Sequence, residues 1–259
     1  MNADADRDER LREMGLAPVW RRRTQIAAAA GVAAEVAPAM AVAPVVPATI
    51  AGSDAAVGRA TRELEIAALT WGELAPHIEA CTACGLCRTR KRTVPGVGAT
   101  SAAWMFVGEA PGAEEDAVGE PFVGQAGRLL DNMLKAIGIS RAKDAYIANV
   151  IKCRPPTNRN PEPAEVAQCA PYLARQIALL QPRIIVALGR FAAMTLLDTD
   201  ATIASLRGRV HTYRGAPLIV TYHPAYLLRT LPDQARVWED LLLAKRTFAD
   251  LQSRESSQP

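Results

Sequence analysis

Residues 102–127 read AAWMFVGEAPGAEEDAVGEPFVGQAG, and the way this stretch divides sets the fold. Its first part is an unbroken apolar run ending at Gly108. A run without polar alternation is the pattern of a strand covered on both faces, as in a parallel sheet. A glycine-rich turn follows, of the kind that elsewhere cradles a nucleotide phosphate with help from a lysine. Here the turn and its continuation hold Glu109, Glu114, Glu115, Asp116 and Glu120, with no lysine or arginine. That excludes a Walker-type phosphate loop and leaves the acids to be explained by another chemistry.

Three more apolar runs bounded by turn residues lie downstream: AYIANVI, RIIVALG and LIVTYH. Helical periodicity fills the gaps. Leu129, Leu130, Met133, Leu134 and Ile137 share one face before Gly138, a good helix stop. Pro163 suits the first position of a second helix carrying Leu173, Ile177 and Leu180. FAAMTLL and ARVWEDLLLAKRTF supply two more, and Thr70-Trp-Gly-Glu73 has the form of a capping box. Strands alternating with helices predict an α/β fold: three layers, α/β/α, around a central four-stranded, mainly parallel sheet. Ligands of such sheets bind beyond the carboxyl ends of the strands.

The 259 residues carry a net charge of +3, a mild lean toward polyanionic partners. Residues 1–26 form a charged arm with a short helix expected around ERLREMGL. It is either a solvated tail or a docking peptide for a protein partner anchored by Met14, Leu16 and Trp20. Residues 27–58 are rich in Ala, Val and Pro and read as a disordered linker. Arg21–Arg23 precede small apolar residues, but Glu35, Pro38, Pro44 and Pro47 break any export signal or membrane span. We expect a cytoplasmic monomer, without membrane contact, whose folded domain spans 60–253. In that compartment five cysteines are ligands, redox groups or core thiols rather than disulfides.

Chemistry-bearing residues gather at the strand ends. Glu109 follows the first run, Asn149 lies in the second, Gly189-Arg190 closes the third and His223 the fourth. Each has a bland alternative: a surface acid, a satisfied core amide, a helix cap. Cys81-x-x-Cys84 and the pair Cys153 and Cys169, which flanks RPPTNRNPEPAEVAQ, form a second constellation. Spacing allows zinc, an iron–sulfur cluster or unrelated buried thiols. Cys87 extends the first pair toward a ferredoxin-type run. Nearby, Arg88-Thr-Arg-Lys-Arg92, Lys152, Arg154 and Arg159 are either a solvated face or a phosphate-contacting surface.

The series CTAC, GEAPG-x-EED, GEPFVGQAGRLL, YIANVIKCRPPTNRNPEPAE and HPAYLLR closely resembles the family 4 uracil-DNA glycosylases, the bacterial and archaeal iron–sulfur type, over roughly residues 70–250. The resemblance implies an enzyme that flips uracil out of DNA and hydrolyses its N-glycosidic bond, leaving an abasic site. The alternative it leaves is a relative that binds uracil or damaged bases in DNA without robust excision. On this resemblance Glu109 and His223 are catalytic, the acid toward the sugar and the imidazole donating to uracil O2. Ala110, in the GEAPG turn, Phe122, stacking on the base, and Asn149, pairing with O4 and N3–H, bind substrate. Leu227 is the wedge filling the vacated stack and Arg229 holds a flanking phosphate. Cys81, Cys84, Cys153 and Cys169 hold a structural [4Fe–4S] cluster, with zinc the alternative occupant and Cys87 a departure from the usual four. The DNA partner is uracil-containing, single- or double-stranded.

Overall fold

The computed structural model describes residues 51–256, with side chains from residue 58 onward. The arm at 1–26 and most of the 27–58 linker lie outside the described residues. In chain order the elements are α1 (Ala51–Ala68), α2 (Trp71–Glu79), β1 (Val97–Gly98), β2 (Trp104–Gly108), α3 (Ala113–Val118) and α4 (Gln125–Ala136). There follow β3 (Ala145–Asn149), α5 (Pro163–Leu180), β4 (Ile184–Leu188), α6 (Arg190–Leu197), α7 (Ile203–Leu206), β5 (Val210–Tyr213), β6 (Ala216–Thr221), α8 (Pro224–Leu227) and α9 (Gln234–Ser256).

The strands form one mixed sheet of order β1-β3-β2-β4-β6-β5. The four inner strands are the four apolar runs, and they pair in parallel: Trp104 with Ala145 and Ile184, Leu188 with Thr221. Every residue of β2, β3 and β4 is buried. Successive side chains point to opposite faces. Met105, Val107, Ile185, Ala187, Leu218 and Val220 meet Leu173 and Ile177 of α5 and Leu196 of α6. Trp104, Phe106, Ile184, Val186 and Ile219 meet Leu130 and Leu134 of α4 and Val237 and Leu241 of α9. The expected three layers result.

Two edge strands, β1 and β5, are antiparallel and extend the four-stranded expectation to six. They carry no apolar run, because an edge strand has one neighbour and an open side; β5 alternates between exposed and half-buried positions. The first described helix begins inside the segment assigned to the linker. Residues 51–58 belong to α1, whose later part packs Ile66 against Leu74, Ile78 and Tyr172. At the start of α2 the Glu73 carboxylate accepts from both the Thr70 N–H (2.8 Å) and its hydroxyl (2.7 Å). Among the described residues no helix is long and apolar enough to cross a membrane.

Candidate active site

The chain runs from β2 to β3 on one side, then returns to place β4 on the other side of β2. A crevice opens at such a switch point. There lies a cavity of about 790 Å³, lined at the carboxyl ends of all four parallel strands: Glu109 and Ala110 after β2, Asn149 at the end of β3, Gly189 and Arg190 after β4, Tyr222 and His223 after β6. Phe122, Glu115 and Arg229 complete the wall. Thus the acid, the amide, the aromatic ring and the imidazole expected from the sequence share one space.

Asn149 is 2% exposed, and its Oδ1 is buried with no hydrogen-bond partner among the described residues. An unpaired buried acceptor costs about 1–3 kcal/mol. A Cβ on Gly108 would stand 2.4 Å from that oxygen and 2.7 Å from the Phe122 ring, so only glycine lets both approach the strand end. Phe122 adopts φ 56°, a left-handed backbone rare for an aromatic residue. It is held there from outside. Arg141 donates to the Phe122 and Pro121 carbonyls at 3.1 and 2.5 Å while pairing with Asp131 at 2.7 Å. Glu115 accepts from the Val123, Gly124 and Gly112 amides at 3.0–3.2 Å, tying the acidic turn to the aromatic loop. Buried Asp116 likewise accepts from the Lys91 and Arg92 amides. Two of the acids that made the turn unusual are therefore backbone ties.

His223 lies 5.5 Å from Phe122, ring to ring, tilted by 29°. Its Nδ1 accepts the Ala225 N–H at 3.1 Å, so the ring proton sits on Nε2 and the ring is neutral. Burial pushes its pKa down to about 4, which holds it neutral across the physiological range. The Glu109 carboxyl makes no hydrogen bond or ion pair among the described residues, and burial pushes it up to about 7. A neutral N–H donor, a carboxyl with a raised pKa and the Phe122 ring thus line one cavity.

Arg229 is exposed at the cavity wall, as a phosphate contact requires. Leu227 is not: it is 1% exposed and packs in the core among α4 and α9 residues. In the single turn of α8, the position of Leu227 faces inward. The neighbouring Leu228, 43% exposed, is the apolar side chain that reaches solvent there. Sequence reading missed Arg141 and the tie made by Glu115. Neither tie to the Phe122 loop has a local signal, since each reaches that loop from 8 to 20 residues away. It also missed Tyr226, a wall residue whose hydroxyl donates to Asp233 at 2.6 Å.

All four expected cluster thiols have a protein donor, which for Cys84 is the Leu86 amide. Arg62 of α1 approaches Cys81 at 3.5 Å, Arg90 approaches Cys153 at 3.1 Å, and the Lys152 N–H points to Cys169 at 3.3 Å. Burial raises Cys153 and Cys84, and takes Cys169 to about 12. Burial pushes Cys81 up as well, yet the Ala83 amide, Tyr172 and Arg62 together hold it below the usual thiol value. Cys87, half-buried, sits one turn on, its amide donating to the Cys84 carbonyl. The four thiols sense one another electrostatically. Among the described residues, however, no three His, Cys, Asp or Glu side chains converge as a single metal ion requires. An all-thiol set is one that an iron–sulfur group or a structural zinc ion can use.

A family model described as the uracil DNA glycosylase superfamily matches residues 95–242. The type-4 uracil-DNA glycosylase of Archaeoglobus fulgidus is 47% identical over 164 residues, covering 60% of this chain and 82% of that protein. That of Thermotoga maritima is 44% identical over 173 residues, 65% of this chain and 90% of the relative. That of Saccharolobus solfataricus is 41% identical over 185 residues, 68% and 85% respectively.

Proposed function

The chain belongs to the type-4 uracil-DNA glycosylases of the uracil-DNA glycosylase superfamily, and from that premise we propose how its cavity reads and releases the base. It is a DNA-repair enzyme that excises uracil from DNA. The target atom is hidden within a duplex, so the nucleotide must leave the stack, at a cost of a few kcal/mol. Phe122 offsets part of that cost by stacking, worth about 1–3 kcal/mol and indifferent to which base is stacked.

Choice falls to Asn149. Its unpaired Oδ1 is the observation that carries this reading. Uracil presents a donor at N3 and an acceptor at O4, matching the Asn oxygen and amide nitrogen; cytosine reverses both. A buried acceptor left facing another acceptor is the kind of mismatch that discriminates by about 10⁴ or more. As the glycosidic bond breaks, negative charge moves to uracil O2 and positive charge to the sugar. His223 donates from Nε2 toward O2, stabilising the leaving base without transferring a proton, while the Ala110 segment brings backbone to the same rim. Glu109 faces the sugar, where its carboxylate favours an oxocarbenium-like centre and holds the water that attacks it. Arg229 takes a flanking phosphate, and Leu228 replaces Leu227 as the apolar side chain beside the vacated stack.

Cys81, Cys84, Cys153 and Cys169 would hold a [4Fe–4S] cluster. Such a group supplies a structural cross-link between the 81–84 turn, the end of the β3 segment and α5. The hydrolysis itself moves no electrons to or from the protein.

The reading is tested with oligonucleotides containing one uracil, cytosine or thymine, treated with enzyme and then alkali. Scission at uracil is expected to be at least about 10⁴-fold faster than at cytosine. Comparable scission at uracil and cytosine would overturn the Asn149 readout.

A further inference from the structure

Lys152 is fully buried, yet it has no carboxylate partner among the described residues. A buried ammonium costs several kcal/mol against an alkyl chain of the same length. A lysine serving only to fill space would be poorly chosen. What it does make is specific. Its Nζ donates to the Asn149 backbone carbonyl at 2.7 Å and to Gln176 Oε1 at 2.7 Å.

Both partners are themselves fixed. Asn149 is the last residue of β3, and beyond it the Val150 and Ile151 amides donate to the Gly108 and Glu109 carbonyls. The Asn149 carbonyl therefore sits where the ladder gives way to a turn, and the Lys152 side chain closes that turn from three residues on. Gln176 projects from α5, and its Nε2 donates to the Pro95 carbonyl at 2.7 Å and lies 3.2 Å from the Tyr146 hydroxyl. A carbonyl accepts only, so the amide orientation is set and Oε1 must face Lys152. Meanwhile the Lys152 backbone N–H points to Cys169 Sγ on the same helix. One residue thus joins the base-facing strand end to the helix that carries a thiol ligand.

We propose that Lys152 is a positioning residue: its ammonium clamps the Asn149 carbonyl to Gln176 of α5, and so fixes the direction in which the Asn149 amide faces the cavity. The inference rests on the base-reading role given to Asn149 above. It also gives the thiol site a mechanical route to the pocket, since Lys152 is tied to α5 twice, by its ammonium at Gln176 and by its backbone N–H at Cys169.

The test is a double-mutant cycle in the full chain. Single-turnover uracil excision at saturating enzyme, affinity for abasic-site DNA, inhibition by free uracil, and iron content are measured for the wild type, Lys152→Met, Asn149→Ala and the double variant. A misaligned pocket group costs about 10²-fold in rate, and that loss is expected for Lys152→Met, with weaker inhibition by free uracil. Affinity for abasic DNA and iron content stay unchanged. In the Asn149→Ala background the lysine substitution is expected to cost nothing further, because it acts through the missing amide. Full additivity, a wild-type rate in Lys152→Met, or a rate loss matched by iron loss would each overturn the proposal. Asn149→Ala with the wild-type rate would overturn the reading of Asn149 itself. Should Lys152→Met fail to fold, Gln176→Leu, which frees the clamp from α5 while keeping the lysine, reads the same cycle with the same expectations.

Discussion

At the scale of single residues the site separates two titrations that ordinary values would place around four and six. Glu109 is pushed up to about 7 and His223 down to about 4, both chiefly by burial. If the carboxylate is the active form of Glu109, kcat/KM rises as pH passes upward through about 7. His223 is already neutral from about pH 5 upward, so it adds no limb in that range. A pH–rate profile from 5 to 9 is expected to show one ionisation near neutrality, and Glu109→Gln is expected to be slow and flat. A wild-type profile without that limb, or one retained in Glu109→Gln, would remove the carboxylate from the chemistry. The tautomer makes a further prediction. His223→Gln keeps an N–H donor and should retain more activity than His223→Ala, measured as single-turnover rates.

At the scale of elements the decisive piece is the loop from Pro121 to Gly124 that carries Phe122 against the cavity. Its left-handed residue stores strain of about 1–3 kcal/mol, which the surrounding contacts must overcome. Gly127, in the first turn of α4, makes room for it: a Cβ there would stand 1.9 Å from the Phe122 carbonyl oxygen. Gly127→Ala is expected to displace the ring and lower excision by about 10²-fold, with DNA affinity retained; a wild-type rate would show that the loop tolerates the shift. The four inner strands could be read directly, because burial on both faces writes an unbroken apolar run. The edge strands could not, since β1 and β5 have an open side. Glu109, Asn149 and His223 were legible as polar residues at strand ends. The conformation of Phe122 was not, as it depends on Gly127 and Arg141 rather than on its neighbours in PFVG. The burial of Leu227 was not legible either, because adjacent leucines look alike until a single helical turn directs one to the core.

For the molecule as a whole, the described residues, 51–256, fall in one compact unit. That unit includes α1, whose Arg62 reaches both Cys81 and the Gln168 carbonyl. A chain beginning at Ile50 is therefore expected to excise uracil from naked DNA at the full rate, whereas a cut beyond Arg62 should loosen the thiol site. A large loss from the first truncation would place the arm within the catalytic unit. The purified protein is expected to be brown and to hold about four irons, with Cys153→Ala bleached; a colourless protein containing zinc would refute the cluster. The slot at the strand tips is tested most directly by the single-turnover rate of uracil release by Asn149→Ala, set beside its affinity for abasic DNA. We predict a rate at least about 10³-fold below the wild type, since a hydrogen-bonded readout is lost, with abasic-DNA affinity unchanged. Release at the wild-type rate would contradict the account.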